Sequence, residues 1–198
     1  HPHDEIFFLG TAKGLEMTLV PAAGFSVLQI PKVAISRSLS PSLLKVPFQL
    51  IASVSQTLKH LKGVDCAVGF GGYVSGPLYF AAAIKRVPLI IHEQNAKPGW
   101  ANRLGATFTN HLAVAHPVES GKFSSALLAG LPLRLDVAEG FVAAEKDWAT
   151  ARSEAKKRLG FSKDAPLVVI MGGSQGSVAI NKVIESSVSL FNKKGIQV

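Results

Sequence analysis

The fold is decided by one stretch of the sequence, CAVGFGGYVSGPLYFAAAIKR, at residues 66–86. Its apolar start, residues 66–69, predicts a strand, and the apolar run after Ser75 predicts a helix over residues 75–86. The glycines between them permit positive φ and a close approach of a ligand to the backbone. Ser75 is the predicted N-cap, with Pro77 in the first helical turn. Because a helix N-terminus attracts anions, this turn is a candidate phosphate site; a tight turn without a ligand is the alternative.

The same alternation of strand and helix extends in both directions along the chain. Further strands are predicted at residues 6–9, 26–29, 89–92, 111–114, 126–128 and 167–171. Further helices are predicted at residues 15–20, 41–62, 99–108, 146–159 and 176–192. Most of the strand segments are continuous apolar runs, which is typical of parallel strands that are covered on both faces. The chain is therefore predicted to be an α/β protein with a doubly wound parallel sheet.

The composition indicates a folded protein with an excess of positive charge. Hydrophobic residues make up 47% and charged residues 17%, which argues against disorder. The net charge of +8 is spread over the chain, so an anionic partner is expected: a nucleotide, a nucleic acid or an acidic membrane surface. A soluble basic surface without such a partner is the alternative. No run of 18 apolar residues occurs, so no membrane-spanning segment is predicted.

Metal, disulfide and nucleic-acid chemistry have no motif in this sequence. The single cysteine, Cys66, excludes an internal disulfide and fits a reducing compartment. No metal-ligand spacing with carboxylates or Cys66 is found among His1, His3, His60, His111 and His116. Aromatic residues do not alternate with the basic ones, and no nucleic-acid-binding motif is present. We therefore predict no metal ion, no cofactor and no nucleic acid partner.

A polar segment, HEQN, follows the apolar run that begins at Leu89. It consists of His92, Glu93, Gln94 and Asn95. In open α/β sheets, ligands bind at the carboxyl ends of the strands, so these side chains are candidates for binding sugar hydroxyls or a base. For His92 and Glu93, capping of neighbouring elements is the alternative.

A second glycine-rich turn separates the predicted strand at residues 167–171 from the predicted helix at residues 176–192. Its residues are Gly172, Gly173, Ser174, Gln175 and Gly176. Strand, turn and helix N-terminus follow one another in the order of a phosphate site. The turn lacks the Lys-Ser/Thr pair of a P-loop and the third glycine of a dinucleotide-binding fingerprint. ATP hydrolysis and NAD binding are therefore not favoured.

The helix predicted at residues 41–62 has a wide apolar surface. Ser40 is its predicted cap, with Pro41 at its first position and a bend at Pro47. The residues at helical spacing, which are expected to face the core, are Leu44, Phe48, Ile51, Val54, Leu58 and Leu61. The nearby basic residues are Arg37, Lys45, Lys59 and Lys62. Two hypotheses stay open for this helix: contact with an anionic membrane, or burial in the core.

A domain boundary is predicted near residues 130–134. Residues 1–133 hold a nearly complete series of strands and helices, whereas residues 134–198 begin with an irregular stretch and a charged helix. The chain starts without a methionine, enters a strand almost at once and ends in another apolar run. Strands placed there would lack neighbours, so we expect a fragment in which both domains are incomplete.

Together, these segments resemble the MurG family of bacterial N-acetylglucosaminyltransferases, which act in peptidoglycan synthesis. The matching motifs, in the order of the family, are LGT (9–11) with Glu16, LVP (19–21), Gly24, GGYVSGP (71–77), HEQN (92–95), Pro98, Gly99, Ala101, Asn102, PLRLDV (132–137) and GGSQG (172–176). Each motif is weak alone, but their order and approximate spacing make the resemblance specific. It runs through almost the whole chain.

The resemblance implies a GT-B fold, with two Rossmann-like domains. It implies an inverting, metal-independent transfer of N-acetylglucosamine from UDP-N-acetylglucosamine to lipid I, which gives lipid II. The positions that match donor contacts are Asn95, Arg134 and Ser174. The positions that match the acceptor-side loop are Gly72, Tyr73 and Ser75. Residues 1–133 would form the acceptor and membrane-side domain, and residues 134–198 would begin the UDP-sugar domain.

The resemblance also implies a peripheral protein at the cytoplasmic face of the bacterial cell membrane. Its partners would be lipid I, the anionic inner-membrane surface and a cell-wall synthesis complex. The family's first glycine-rich loop carries a histidine that is a candidate base, and this loop would precede residue 1. We therefore assign no catalytic residue and expect the isolated chain to be inactive. Leu131 stands where the family usually has an asparagine, which removes that side chain's hydrogen bonds.

Two other functions stay open from the sequence. One is another GT-B enzyme that uses a UDP-sugar, with a different acceptor or with epimerase activity. The other is a noncatalytic subunit for membrane docking or acceptor binding, like one half of a two-chain glycosyltransferase. The HEQN segment beside GGYVSGP argues against the first. The second glycine-rich turn argues against the other, because it begins a further domain.

Overall fold

The computed structural model describes three parts of the chain: residues 5–33, 44–172 and 176–198. The chain divides into two compact units, which we call unit 1 (His1–Leu131) and unit 2 (Pro132–Val198). This division follows packing alone. The functional roles predicted for residues 1–133 and 134–198 therefore stay predictions.

Unit 1 contains two groups of parallel strands that alternate with helices. Its elements in chain order are β1 (Phe7–Gly10), α1 (Glu16–Ala22), β2 (Ser26–Gln29), α2 (Val46–His60), β3 (Ala67–Gly69), α3 (Ser75–Lys85), β4 (Leu89–Glu93), α4 (Trp100–Gly105), β5 (Leu112–Val114), a 3-10 turn (Lys122–Ser125) and β6 (Leu127–Leu128). β1 pairs with β2, and the other strands form one sheet in the order β3-β4-β5-β6. All of these pairs are parallel, which confirms the predicted α/β class.

The strands of the larger sheet lie where the apolar runs predicted them. The expected burial of both faces is wrong for β3 and β4, however, since Val68 is 47% and Ile90 is 39% exposed. Ala67 pairs with Leu89 and Ile91 pairs with Leu112, so β3, β4 and β5 run side by side in the same direction. Their carboxyl ends therefore lie at one edge of the sheet. The glycine-rich turn after β3 and the HEQN segment at the end of β4 are neighbours at this edge.

The core of unit 1 is centred on the ring of Tyr79, which is completely buried. A Cβ at Gly69 would lie 2.2 Å from a ring atom, and a Cβ at Gly105 would lie 2.4 Å from one. These two glycines, one in β3 and one in α4, thus form a slot that only just accepts the aromatic ring. Other buried residues complete the cluster, among them Ala81, Ala82, Ile91, Val114 and Phe123.

The core face predicted for the helix at residues 41–62 is wrong in its N-terminal half. Three residues expected in the core are 78%, 75% and 66% exposed: Leu44, Phe48 and Ile51. Ser53 and Thr57 are fully buried instead, and α2 packs against α3. Thr57 can be buried because its hydroxyl donates to the Ser53 carbonyl over 2.8 Å. The C-terminal half packs on the core as predicted, through Val54, Leu58 and Leu61.

Pro47 does not bend α2 in the way that the sequence predicts. It lies in the first turn of the helix, which begins at Val46. A proline is tolerated there because its missing N–H would have no partner within the helix. The predicted cap Ser40 and the predicted first residue Pro41 lie outside the described residues.

The predicted N-cap of α3 is also wrong. Val74 precedes the helix in a helical conformation, and Ser75 is the first helical residue. Its hydroxyl donates backwards to the carbonyl of Gly71, so it stabilises the turn and not the helix N-terminus. Pro77 lies in the first turn, as predicted.

Unit 2 contains the helices α5 (Leu135–Lys146), α6 (Trp148–Arg158) and α7 (Val178–Lys193) among its described residues. The irregular stretch predicted after residue 134 is wrong, since α5 occupies it. Gly140 lowers the helix propensity of this segment, but the surrounding alanine and glutamate residues favour a helix. Asp147 and Ser177 cap the other two helices, because their side chains accept hydrogen bonds from N–H groups of the first turns.

The strand predicted at residues 167–171 is wrong as well. Among the described residues it is reduced to one parallel bridge between Leu167 and Gln197. The N–H of Val168 donates to the Gln197 carbonyl, and the N–H of Gln197 donates to the Pro166 carbonyl, both over 2.9 Å. A strand needs a ladder that continues beyond two such bonds, and the described chain provides no continuation at residues 169–171.

Candidate functional site

The glycine-rich turn after β3 keeps backbone N–H groups available to a ligand. Gly71 and Gly72 have φ angles of 87° and 85°, which residues with a Cβ rarely adopt. Within the described residues, the N–H groups of Gly72 and Tyr73 have no acceptor. Ser75 closes the turn through a 2.6 Å hydrogen bond from its hydroxyl to the Gly71 carbonyl. The turn thus presents donors at the positive end of α3, as an anion site requires.

Lys32 adds a positive charge beside this turn, and the sequence did not predict it. Its ammonium nitrogen lies 5.7 Å from the centre of the Tyr73 ring, which is about half exposed. The quadrupole of an aromatic ring attracts a cation held above its face. No motif marks Lys32, because the contact joins two segments that are distant in sequence. A cation is thereby placed next to unpaired backbone donors.

Glu93 organises the polar segment at the end of β4. It is only 1% exposed, and its carboxylate accepts four hydrogen bonds of 2.8 to 2.9 Å. The donors are the backbone and side-chain N–H groups of Asn95, the backbone N–H of Gly99 and the side-chain amide of Asn102. A carboxylate can be buried this completely because its oxygen lone pairs are all engaged. Glu93 therefore stabilises the turn of residues 94–99 by hydrogen bonds from its buried side.

The same hydrogen bonds determine the charge of Glu93. Burial raises the pKa of its carboxyl, but the N–H groups of Asn95 and Gly99 and the amide of Asn102 together lower it more. The net result is a pKa below the ordinary value of 4.5. At neutral pH the side chain is an anion that accepts hydrogen bonds, and it has no proton to give.

His92 lies against the last residues of unit 1. Its Nε2 is 2.9 Å from the carbonyl oxygen of Gly130, and since a carbonyl can only accept, Nε2 is the protonated donor. Nδ1 is buried and has no partner among the described residues. The ring of Phe70 lies beside the imidazole, with the centroids 5.8 Å apart. His92 thus joins the end of β4 to the segment that leads out of unit 1.

Tyr79 and Asn102 belong to this site, and sequence reasoning missed both of them. The Tyr79 hydroxyl donates to Oδ1 of Asn102 over 2.6 Å, and Asn102 is 1% exposed. Burial raises the pKa of the Tyr79 hydroxyl above its ordinary value of 10.0, so it stays a donor at neutral pH. The available signal for Asn102 was its match to the family's motifs, but such a match does not tell a buried support from an exposed contact.

The structure brings the predicted site residues of unit 1 together at one edge of the sheet. They are Gly72, Tyr73, Ser75, His92, Glu93, Gln94 and Asn95. Their exposure separates residues that can contact a ligand from residues that support the backbone. The exposed ones are Gly72, Tyr73, Gln94 and Asn95, and the buried ones are Ser75, His92 and Glu93.

The predicted site residues of unit 2 are described only in part. Arg134 is exposed, and its Nε and Nη2 both donate to the carboxylate of Asp136, which raises the pKa of the guanidinium. Gly176 has a φ of 68°, and a Cβ on Gly172 would lie 3.0 Å from its Cα, so these two glycines lie close together. Three residues of the turn lie outside the described residues: Gly173, Ser174 and Gln175.

An apolar groove of about 300 Å³ lies between α2 and α3 in unit 1. Its apolar walls come mainly from Leu50, Ile51, Val54, Leu58, Phe80 and Ile84. Together with the exposed side chains of Leu44 and Phe48, we call this region the α2 apolar surface. Three exposed lysines belong to the same segment: Lys45, Lys59 and Lys62. The hypothesis that this helix is buried is therefore wrong for its N-terminal half, while membrane contact stays a prediction.

Metal-ligand clusters and membrane-spanning helices are both absent from the described parts of the chain. No group of three or more His, Cys, Asp or Glu side chains there is arranged to hold a metal ion. No helix there combines the length and apolar character needed to cross a bilayer. Whether the protein uses a metal ion or a cofactor stays a prediction from the sequence.

A parallel sheet with glycine-rich and polar turns at its carboxyl edge is typical of α/β proteins that bind a ligand at that edge. The chain belongs to glycosyltransferase family 28, whose N-terminal domain pattern matches residues 2–114. This match includes β3, β4 and β5 of the larger sheet and ends before β6. It therefore includes both the glycine-rich turn after β3 and the HEQN segment.

Two curated relatives are named UDP-N-acetylglucosamine--N-acetylmuramyl-(pentapeptide) pyrophosphoryl-undecaprenol N-acetylglucosamine transferase. The relative from Thermobifida fusca is 40% identical over 100% of this chain and 51% of its own length. The relative from Acidothermus cellulolyticus is 41% identical over 98% of this chain and 51% of its own length. This chain thus spans about half the length of the curated relatives it matches.

A solved structure is similar as well. The crystal structure of MurG from Acinetobacter baumannii matches with a TM-score of 0.52 and 25% sequence identity. The match covers 74% of this chain and 45% of that chain. These comparisons confirm the predicted resemblance to the MurG family and the predicted fold class.

Proposed function

We propose that this chain is part of a hexosyltransferase that moves N-acetylglucosamine from UDP-N-acetylglucosamine to lipid I, which gives lipid II for peptidoglycan. The family assignment carries the proposal, together with relatives of this name that are about 40% identical along the whole chain. The geometry of unit 1 supports it. Two turns meet at the carboxyl edge of a parallel sheet, where α/β enzymes bind their ligands.

The pyrophosphate of the acceptor is assigned to the glycine-rich turn of unit 1. The N–H groups of Gly72 and Tyr73, the N-terminus of α3 and the ammonium group of Lys32 all favour an anion. Space is available, since a Cβ on Gly72 would meet nothing within 4 Å. Ser75 supports this assignment indirectly, because it fixes the carbonyl of Gly71 and so the shape of the turn.

Contacts with the UDP-sugar are assigned to one residue of unit 1 and to two residues of unit 2. In unit 1, Nδ2 of Asn95 is bound to Glu93, which leaves its Oδ1 to accept from a sugar hydroxyl. In unit 2, Arg134 and Ser174 are the proposed contacts, with the glycine-rich turn at residues 172–176 as a phosphate site. Arg134 is exposed and can exchange the Asp136 carboxylate for a phosphate, because surface ion pairs contribute little to stability.

The proposed reaction requires two contributions from the protein. A base takes the proton of the acceptor hydroxyl, whose oxygen then attacks the anomeric carbon with inversion and displaces UDP. Backbone N–H donors and an arginine can stabilise the diphosphate as its charge develops, which makes a metal ion unnecessary. Glu93 is a poor base candidate, since its lone pairs are engaged by four N–H groups. We assign no base within this chain.

The α2 apolar surface is the proposed contact with the anionic inner-membrane surface, on the cytoplasmic face of the cell membrane. Phe48 and Leu44 are exposed, and the exposed Lys45 lies between them in the sequence. Apolar side chains that enter the headgroup region beside lysines are typical of helices that lie on a membrane. A cell-wall synthesis complex is a further proposed partner, which rests on the family resemblance alone.

Transfer of labelled N-acetylglucosamine by the full-length protein tests the proposal. We expect labelled lipid II from UDP-N-acetylglucosamine and lipid I, with and without a metal chelator. A folded protein that binds lipid I but transfers nothing would instead be a noncatalytic acceptor-binding subunit. Transfer to another acceptor only, or epimerisation of the UDP-sugar, would identify a different GT-B enzyme.

A further inference from the structure

The ring of Tyr79 is fixed by packing, and its hydroxyl is engaged in a hydrogen bond. The ring is completely buried in the slot between Gly69 and Gly105, so it has one available orientation. In that orientation the hydroxyl donates to Oδ1 of Asn102 over 2.6 Å. A phenylalanine would fill the slot equally well. Packing alone therefore does not account for the hydroxyl.

This hydrogen bond holds one end of the Asn102 amide, and Glu93 holds the other. Oδ1 accepts from Tyr79, and Nδ2 donates to Oε2 of Glu93 over 2.9 Å. The carboxylate fixes which way the amide points, because it can only accept and so requires Nδ2 on its side. The tyrosine hydroxyl then keeps the amide in place by donating to Oδ1, and without it Asn102 would be held from one side only.

The orientation of Asn102 in turn holds Glu93. The other bonds of the Glu93 carboxylate go to Asn95 and to the backbone N–H of Gly99. Those bonds shape the turn of residues 94–99, which carries the exposed Gln94 and Asn95. A continuous series of hydrogen bonds thus runs from the hydroxyl of Tyr79 to the backbone of this turn.

The same residues reach the glycine-rich turn. A Cβ on Gly71 would lie 3.2 Å from the amide nitrogen of Asn102, so the backbone of that turn rests against the asparagine. Ser75, which fixes the Gly71 carbonyl, lies one helical turn before Tyr79 on α3. Both exposed turns of the site are therefore supported by one buried pair of side chains.

We propose that Tyr79 is a positioning residue, which holds the HEQN turn in its ligand-binding geometry through Asn102 and Glu93. This inference rests on the proposed function for its effect on sugar transfer. Its effect on the turn itself does not depend on that function. Tyr79 contacts no ligand and acts only by keeping Asn95 and its neighbours in place.

The test compares two variants of the full-length protein that each lose one buried hydroxyl. Tyr79→Phe removes the donor to Asn102 and leaves the ring in its slot. Thr57→Val is the matched control, because Thr57 is also completely buried and donates to a carbonyl of its own helix, α2. Backbone hydrogen exchange is measured at Asn95 and Gly99, and kcat and KM are measured for UDP-N-acetylglucosamine and lipid I.

We expect the amides of Asn95 and Gly99 to exchange about tenfold faster in Tyr79→Phe and to be unchanged in Thr57→Val. We expect kcat/KM to fall about tenfold in Tyr79→Phe only, since a small displacement of a positioning turn weakens the productive geometry. Asn102→Ala removes both the acceptor for Tyr79 and the donor to Glu93, and it places no second carboxylate beside Glu93. It should loosen the same two amides, and the double variant should add little to either change.

Each outcome decides between distinct conclusions. Equal exchange and equal kinetics in Tyr79→Phe and the wild-type protein would overturn the inference. Equal losses in Tyr79→Phe and Thr57→Val would also overturn it, because the hydroxyl would then act on stability alone. Faster exchange at Asn95 and Gly99 in a protein without transferase activity would support Tyr79 as the residue that positions the turn and would contradict the proposed function. If Tyr79→Phe does not fold, Asn102→Ala decides by the same two measurements, because it breaks the link between Tyr79 and Glu93: unchanged exchange at Asn95 and Gly99 would overturn the inference.

Discussion

Nε2 of His92 donates to the carbonyl oxygen of Gly130 over 2.9 Å and so ties β4 to the segment that leaves unit 1. The N–H groups of Ala129 and Gly130 donate to the carbonyl of Val114 over 3.0 and 3.3 Å. The segment is thus fastened to two adjacent strands. Gly130 has a φ of 72°, and the chain can follow this path because glycine tolerates that angle.

The first prediction concerns this hydrogen bond. His92→Phe should lower the free energy of unfolding by about 1 kcal/mol, because the Gly130 carbonyl loses its donor. His92→Gln should lose less, since its amide can donate in the place of Nε2. Urea denaturation of both variants measures the difference. A smaller loss in His92→Phe than in His92→Gln would contradict this prediction and would show that ring packing against Phe70, and not the hydrogen bond, accounts for the effect.

The second prediction is a loss of stability in acid that depends on Glu93. Its pKa is lower in the folded protein than the ordinary value of 4.5, so the unfolded chain binds the proton first as the pH falls. The stabilisation is complete above about pH 4.5 and is lost as the pH falls through the folded pKa. Urea denaturation from pH 7 to pH 3 measures this dependence.

Glu93→Gln provides the matched comparison for that titration. At pH 7 it should cost about 2 kcal/mol, because its amide places a donor against the N–H groups that Glu93 accepts. Its unfolding free energy should then change less with pH than that of the wild-type protein. A residual dependence is expected from Glu16, Asp136 and Asp147, whose pKa values are also lowered. The same slope in both proteins would rule out Glu93 as a source of acid sensitivity.

The third prediction uses two helical glycines with opposite expected signs. Gly105→Ala would place a Cβ 2.4 Å from the ring of Tyr79 and 2.6 Å from Ile91, so it should destabilise unit 1 by about 3 kcal/mol. Gly140→Ala meets nothing within 4 Å and should stabilise α5 by about 0.5 to 1 kcal/mol. Thermal denaturation of both variants provides the comparison. A tolerated Gly105→Ala would contradict the tight slot around Tyr79.

The fourth prediction tests membrane contact by the α2 apolar surface. Phe48→Asp should reduce binding of the full-length protein to vesicles that contain anionic phosphatidylglycerol by more than tenfold, since burial of a phenylalanine contributes about 2 kcal/mol. The control is Phe141→Asp on α5, because Phe141 is 61% exposed and lies outside that surface. Co-sedimentation at low and high salt separates the apolar contribution to binding from the electrostatic one, which salt screens. Equal binding by the two variants would contradict this assignment.

The sequence predicts the strands of unit 1 well, because β3, β4 and β5 are short apolar runs bounded by turns and each pairs with a neighbour. It fails at residues 167–171, where the same kind of run forms one bridge only. An apolar run identifies a segment that can pair as a strand, but a strand forms only where a neighbouring segment supplies the hydrogen-bond partners. The helix at residues 135–146 was missed for a local reason, since one glycine obscured an otherwise favourable composition.

The candidate site was predictable where a motif is contiguous and not where contacts are long-range. Gly72, Asn95 and Glu93 stand in recognisable segments. Lys32 and Tyr79 do not, because their partners, Tyr73 and Asn102, are distant in sequence. Likewise, helical spacing placed Phe48 in the core, whereas the fully buried residues of α2 are two small polar ones, Ser53 and Thr57.

The amino-acid sequence was sufficient to predict the α/β class, the glycine-rich turn after β3 and the resemblance to one family, because propensity and motif order are local properties of the chain. Which polar side chains are buried and support the backbone, and which are exposed and can contact a ligand, became clear from the tertiary structure. Burial of a charge depends on donors that converge from separate elements, as Asn102 and Gly99 converge on Glu93. That convergence is a property of the packed sheet and its helices, and no single segment of the sequence contains it.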